Sequence, residues 1–316
     1  MRTGALRRAL PGLDVARRYQ RGWLRDDVVA GTVLTALLIP AGIGYAQAAG
    51  LPPETGLYAT IVPLLAYAVF GPSRVLVLGP DSALAPIIAA SVLPLAEGDP
   101  DRAVALAGLL ALLMGVILVL GGLLRVGFVT DLLSKPIRLG YLHGIALVVV
   151  VGQLPKLFGF SADGTSLPVE LRAFADGVAD GATDVTSLVI GLGALVVLVV
   201  TRVLRSRVPG VLVAVAASMV LTAAAGWRDE IPVVGRLPDG LPAPALGGLT
   251  WGDVASLAGP ALGIALIAFA DTGVLSRTFA ARHGRSVDGS QEMTGIGMAN
   301  VAGGLFGGFP ISGATS

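Results

Sequence analysis

The sequence predicts an all-α integral membrane protein with broken half-helices, the first half of an inverted repeat. Three observations carry that prediction: apolar runs of membrane-spanning length, basic residues gathered in alternate loops, and two Gly/Pro-rich interruptions of similar character. Hydrophobic residues make up 54% of the 316, only 14% are charged, and the mean hydropathy is +0.81. Soluble domains carry about 25% charged residues. A soluble globule of this size has too little polar sequence to cover so much apolar surface.

Composition also excludes several functions. A net charge of +1 offers no basic face for nucleic acid. The absence of cysteine removes disulfide scaffolds, thiolate metal sites and cysteine nucleophiles together. The sequence pairs no histidine with a serine or acidic motif and has no His-Glu-x-x-His cluster, so an enzyme is not expected.

Residues 1–26 form a polar, arginine-rich segment expected on the cytoplasmic side, either as an amphipathic surface helix or as a solvated tail. The apolar run that follows is too long for a signal-peptide core and should remain as a span. A crossing needs about 20 apolar residues. On that scale spans are expected near 29–49, 55–71, 82–96, 103–124, 130–154, 184–203, 209–226, 255–276 and 291–307. The third is short and follows Gly79-Pro80, which suits a half-helix better than a full crossing. Counting it that way puts most of the 22 basic residues on one side. The N-terminus is then cytoplasmic. The stretches 155–183 and 227–253 are polar and Pro/Gly-rich and are expected to be external connectors.

The earlier interruption is Gly79-Pro80-Asp81-Ser82-Ala83, and the later is Gly308-Phe309-Pro310-Ile311-Ser312-Gly313-Ala314. Paired interruptions in two halves point to a transporter site near the bilayer midplane, where half-helix N-termini face an anion. Residues 27–226 would form a first repeat of seven segments. Residues 254–316 would begin a second of opposite orientation, with residues 227–253 linking them. The chain stops just after the second interruption, so a fragment of a longer protein is expected, inactive by itself.

Several ordered motifs resemble the SulP family of sulfate permeases and related anion transporters. They are Ile39-Pro40, Gly44-Tyr45-Ala46, Gly50-Leu51-Pro52-Pro53, Gly56-Leu57-Tyr58-Ala59, Phe70-Gly71-Pro72-Ser73-Arg74 and Gly79-Pro80-Asp81-Ser82. Asp288-Gly289-Ser290-Gln291-Glu292, Gly297-Met298-Ala299-Asn300 and Phe306-Gly307-Gly308-Phe309-Pro310 resemble the second-repeat signature. The resemblance implies two inverted repeats of seven segments arranged as core and gate domains, a following STAS domain that is absent here, and a homodimer in the full-length protein. It implies a bacterial-type carrier in the cell membrane for sulfate, bicarbonate or a dicarboxylate. A gated anion channel and a nucleobase–cation symporter are the alternatives.

The anion site would lie between the third and tenth segments, lined by the first and eighth. Ser82, Ala83, Ser312, Gly313 and Ala314 would offer it backbone N–H groups. Tyr45 is a candidate pocket wall, and Ala41 stands where many relatives carry a substrate-contacting glutamine. Pro40 should kink the first span beside the site. Asp271, inside the eighth span, reads either as an ion path or as a structural hydrogen-bonding group. With Thr315 it is the candidate for Na+, and alone for H+. No other cofactor is implied. Asp81 reads either as the cap of the half-helix or as a carboxylate that takes up a proton with substrate. His143 is expected to be packed and His283 solvated.

Overall fold

The structure, a computed structural model, describes residues 10–74, 76–126, 143, 147, 150–162, 167–204, 206, 208, 210–227, 244, 246–282 and 288–313. In chain order its elements are α1 (Pro11–Arg17), a 3-10 turn (Arg21–Trp23), α2 (Leu24–Ala48), α3 (Pro53–Phe70), β1 (Leu78–Gly79), α4 (Ala85–Ala96) and α5 (Pro100–Leu123). There follow α6 (Leu167–Ala179), α7 (Val185–Val203), α8 (Gly210–Ala225), α9 (Trp251–Arg282), α10 (Gly289–Leu305) and β2 (Ser312–Gly313). Eight of the nine expected spans meet one of these helices. Most of the span expected at 130–154, His283 and most of the connector 227–253 lie outside the described residues.

Aspartates start α5, α7 and α10. Asp99 accepts from the N–H groups of Asp101 and Arg102 at 2.9 and 3.3 Å, with Pro100 filling the first helical position of α5. Asp288 does the same for Ser290 and Gln291 at the head of α10. Asp184 caps α7 through Thr186 and Ser187, and the Ser187 hydroxyl holds its carboxyl below the usual carboxylate range. Each cap satisfies donors that the first helical turn leaves open.

α9 begins with a capping box. The Asp253 N–H donates to Thr250 Oγ1 at 3.3 Å, and Asp253 Oδ2 accepts from the Thr250 N–H at 2.8 Å. That box starts α9 at Trp251, four residues earlier than hydropathy predicts. Asp253 Oδ1 also pairs with Arg102 at 3.0 Å. At the other end of α2, Gly50 adopts φ +71, and the Leu51 N–H reaches back to the Ala46 carbonyl at 2.9 Å. This left-handed exit needs glycine, and Pro52-Pro53 then starts α3.

Two compact units are present: residues 1–28, 38–133 and 236–316 in one, and residues 29–37 and 134–235 in the other. The first is centred on α5, whose Leu106, Leu110, Met114 and Leu118 are fully buried at a spacing of one helical turn. α5 and α10 pack antiparallel along a glycine seam. A Cβ on Gly115 would fall 2.6 Å from the Gly297 carbonyl oxygen, and one on Gly304 would fall 2.4 Å from that of Gly108. Gly122 faces the Ser290 carbonyl in the same way at 2.6 Å. Glycines seven residues apart on one helix thus let two backbones touch, the close approach that small residues permit in membrane bundles.

In the second unit α7 buries none of its side chains and exposes Val185, Val189, Val196, Val199 and Val203. The expected connector 155–183 departs from its prediction, since α6 (Leu167–Ala179) lies within it. Phe174 accounts for that, packing edge-on against Phe158 at 5.1 Å and stacking on Phe160 at 5.8 Å. His143 is exposed rather than packed. By length and composition, four helices among the described residues can cross a membrane: Arg21–Ala48, Pro100–Leu123, Val185–Val203 and Trp251–Gly273.

Candidate anion site

Proline lacks the N–H that a helix needs and clashes with the preceding turn. Pro80 and Pro310 each follow a glycine by one or two residues, so neither interruption can continue as helix. The backbone groups set free there must find partners, because hydrocarbon supplies none. They find each other. β1 and β2 pair antiparallel, with Leu78 opposite Gly313 and Gly79 opposite Ser312. Two segments more than 230 residues apart, each expected to build half of one site, therefore cross.

Asp81 leaves this crossing with both carboxylate oxygens engaged. Oδ1 accepts from the Ala83 N–H at 3.0 Å, and Oδ2 accepts from the Ser312 hydroxyl on the opposite strand. Its backbone carbonyl accepts from the N–H groups of Leu84 and Ala85, both at 3.2 Å, which starts α4. Asp81 is 7% exposed and Ser312 is fully buried. Tyr45 of α2 reaches the same place: its hydroxyl pairs with the Ser82 side chain and lies beside the Asp81 carboxylate. Ala41 lies one turn earlier on the same face of α2.

On the other flank, the Gly313 N–H donates to Thr272 Oγ1 at 2.8 Å, which ties β2 to α9 beside the buried Asp271. Asn300 of α10 completes the support. Its Oδ1 accepts from the Ile311 N–H at 2.9 Å, while its amide donates to the Ile311 carbonyl at 3.1 Å. One side chain thus replaces the strand partner that Ile311 lacks.

Among the expected site residues, Tyr45, Asp81, Ser82, Ala83, Ser312 and Gly313 come together, and Asp271 adjoins them through Thr272. Ala314 and Thr315 lie outside the described residues. The Ala83 N–H is directed at Asp81 rather than outward. Among the described residues, no cluster of three or more acidic or imidazole ligands that could hold a metal is present.

Sequence reasoning passed over Thr272, Asn300 and a second buried carboxylate, Glu292. Glu292 is 1% exposed and accepts from the Tyr67 hydroxyl through Oε1 and from Ser276 Oγ at 2.8 Å through Oε2. Ser276, on the helix that carries Asp271, belongs to this second cluster. The available signal was the same as for Asp271, a polar side chain inside an apolar segment.

Apolar helices, two broken segments crossing at short strands and buried polar side chains around the crossing define a multi-pass membrane protein of the broken-helix transporter class. The sulfate permease family model matches residues 24–316, and the chain belongs to that family. It is 41% identical over 307 residues to a probable sulfate transporter of Mycobacterium tuberculosis, covering 97% of this chain and 54% of that protein. It is 34% identical to human solute carrier family 26 member 6, covering 96% of this chain and 43% of that protein. The chain spans about half the length of the curated relatives it matches.

Two solved structures share the fold. The murine solute carrier 26 family member A9 anion transporter, in its inward-facing state, matches with a TM-score of 0.78 at 23% identity, over 98% of this chain and 54% of that one. The transmembrane domain of the cyanobacterial bicarbonate transporter BicA matches with a TM-score of 0.73 at 22% identity, over 94% of this chain and 76% of that one. The fold class is the one expected from the sequence.

Proposed function

We propose that the complete protein carries a small anion across the cytoplasmic membrane by alternating access, holding it where the two broken segments cross. Sulfate, bicarbonate and small dicarboxylates are the candidate cargoes. The observation that carries this reading is the β1–β2 pair, which brings Asp81 and Ser82 of one interruption to Ser312 and Gly313 of the other. An antiparallel pair has local two-fold symmetry, which suits two repeats of opposite orientation: residues 27–226, and a second beginning near residue 254. The positive end of α4 opens toward the crossing. Support also comes from the Mycobacterium tuberculosis relative, named a probable sulfate transporter.

The arginine-rich residues 1–26 favour a cytoplasmic N-terminus. Asp271, buried beside the Thr272 that anchors β2, is the residue assigned to a coupling ion, H+ by itself or Na+ together with Thr315. The complete protein is further proposed to be a homodimer, and its activity is carriage rather than catalysis.

Uptake by proteoliposomes of the complete protein tests this reading, using labelled sulfate with bicarbonate and succinate as competitors while sodium and pH are varied. Saturable, competable uptake is expected. Currents far above carrier turnover would replace the carrier by a gated channel. Asp271→Asn is expected to abolish ion-driven accumulation, and unchanged accumulation would remove Asp271 from coupling.

A further inference from the structure

Asp81 poses a physical problem for an anion site, and the inference drawn from it rests on the reading just given. A carboxylate stands where the two broken segments meet, the place that the cargo anion would take. Among the described residues it has no cationic partner. Its two oxygens are held by the Ala83 N–H and the Ser312 hydroxyl, and no Lys or Arg among the described residues pairs with it. In its present contacts Asp81 does for Ser312 what a bound anion would do, accepting the hydroxyl hydrogen from the opposite strand. Carboxylate and cargo therefore compete for the same donors, and two negative charges at that spacing in a poorly hydrated interior repel strongly.

We propose that Asp81 is the specificity-determining residue that makes anion binding require a proton: the anion enters as Asp81 becomes a neutral carboxylic acid. The proton balance is simple. One proton comes from the solution that the site faces and joins the carboxylate oxygen now accepting from Ser312. The acid O–H and the released Ser312 O–H then both become donors toward the anion. On the far side the anion leaves, the proton leaves with it, and Asp81 closes on Ser312 again. Cargo and proton travel together, and the empty site is sealed by the protein's own carboxylate.

Among the described residues the groups around Asp81 are few. Ser312 faces it from β2, Tyr45 from α2, and Ser82 and Ala83 from its own segment. α9 meets the crossing at Thr272, which makes Asp271 the other acidic group at hand. Tyr45 and Asp271 are thus the titratable neighbours that an experiment must separate from Asp81.

The test measures sulfate KM and kcat separately in proteoliposomes of the complete protein between pH 5.5 and 8. For wild type, KM is expected to rise toward about tenfold per pH unit on the alkaline side, the slope of one proton bound per anion, with kcat changing far less. Asp81→Asn, neutral and of the same shape, should flatten the KM profile and end accumulation driven by a proton gradient while still exchanging sulfate. Asp81→Glu should keep the slope, and so should Asp271→Asn, because the proposal puts the proton on Asp81 and leaves Asp271 to Na+.

A wild-type slope retained in Asp81→Asn overturns the proposal, as does a slope lost in Asp271→Asn instead. If Asp81→Asn does not fold, adding sulfate to weakly buffered Asp271→Asn protein decides: uptake of one proton per anion supports the proposal, and no uptake overturns it. Failure of the underlying reading looks different, since wild type would then show no saturable uptake of sulfate, bicarbonate or succinate at any pH.

Discussion

The two halves of the chain are joined in two physically opposite ways within the same compact unit. Along α5 and α10 the join is a glycine seam, where Gly108, Gly115 and Gly122 meet Gly304, Gly297 and Ser290 backbone to backbone. At the β1–β2 crossing the join is made of hydrogen bonds between irregular segments, with Asp81, Ser312, Asn300 and Thr272 each spending a side chain on it. At its glycines the seam leaves no room even for a Cβ. The crossing keeps polar groups within reach of a ligand but satisfies each of them from inside the protein. The difference separates what fixes the scaffold from what can exchange partners: van der Waals contact is lost on any displacement, while a hydroxyl or carboxylate can pass from one partner to another.

The seam is the place to break the scaffold. Gly297→Leu would drive a side chain into a site where even a Cβ lies 2.7 Å from the Gly115 carbonyl oxygen. Backbone cannot yield as a flexible side chain can, so the helices must part, at a cost of about 3 kcal/mol or more. The expected outcome is loss of a monodisperse peak in detergent, with the same result for Gly115→Leu. A well-folded Gly297→Leu protein would show that the seam is not what holds the two halves.

At the crossing a smaller, more local loss is expected. Asn300→Leu keeps the volume but removes the side chain that satisfies both the N–H and the carbonyl of Ile311. Each buried group left without a partner costs about 1–3 kcal/mol. The seam is untouched, so the protein should still elute as a folded species, with a lowered melting temperature and sulfate affinity reduced at least tenfold. Asn300→Asp, which keeps an acceptor for the Ile311 N–H, should recover part of the affinity. Equal loss of folding in Asn300→Leu and Gly297→Leu would erase the distinction between the two joins.

How much of this was legible in the sequence follows the same division. Membrane class, helix positions and the pairing of interruptions rest on hydropathy and on Gly/Pro placement, which are local properties. The partner of Asp81 is Ser312, and nothing local announces a contact across that separation. Asn300 and Glu292 could be flagged as polar residues in apolar helices, yet their partners, Ile311 and Tyr67, emerge only from the packing. The seam was hidden for another reason: glycine is common in membrane helices, so a seven-residue spacing does not stand out until the facing helix is known. Two local signals were present and passed over. Thr250-x-x-Asp253 is a capping box that starts α9 early, and Phe158, Phe160 and Phe174 mark α6 within a stretch read as connector.

Glu292 gives the finest test of the comparison, because it resembles the crossing in chemistry and the seam in seclusion. Like Asp81 it is a carboxylate held by a hydroxyl from the other half of the chain, Tyr67 in place of Ser312. Unlike Asp81 it sits inside a helix, at 1% exposure, with a second hydroxyl, Ser276, on its other oxygen. If seclusion decides, Glu292 is a structural link, and its charge is dispensable. Glu292→Gln keeps the shape and one carbonyl acceptor, and both hydroxyls can rotate to use the new amide. The expected cost is under about 1 kcal/mol, with the pH profile of sulfate KM unchanged, whereas Asp81→Asn should flatten that profile. A Glu292→Gln variant that melts normally but loses the pH dependence would move the proton from the crossing to Tyr67 and Ser276. Chemistry rather than position would then govern which buried carboxylate works.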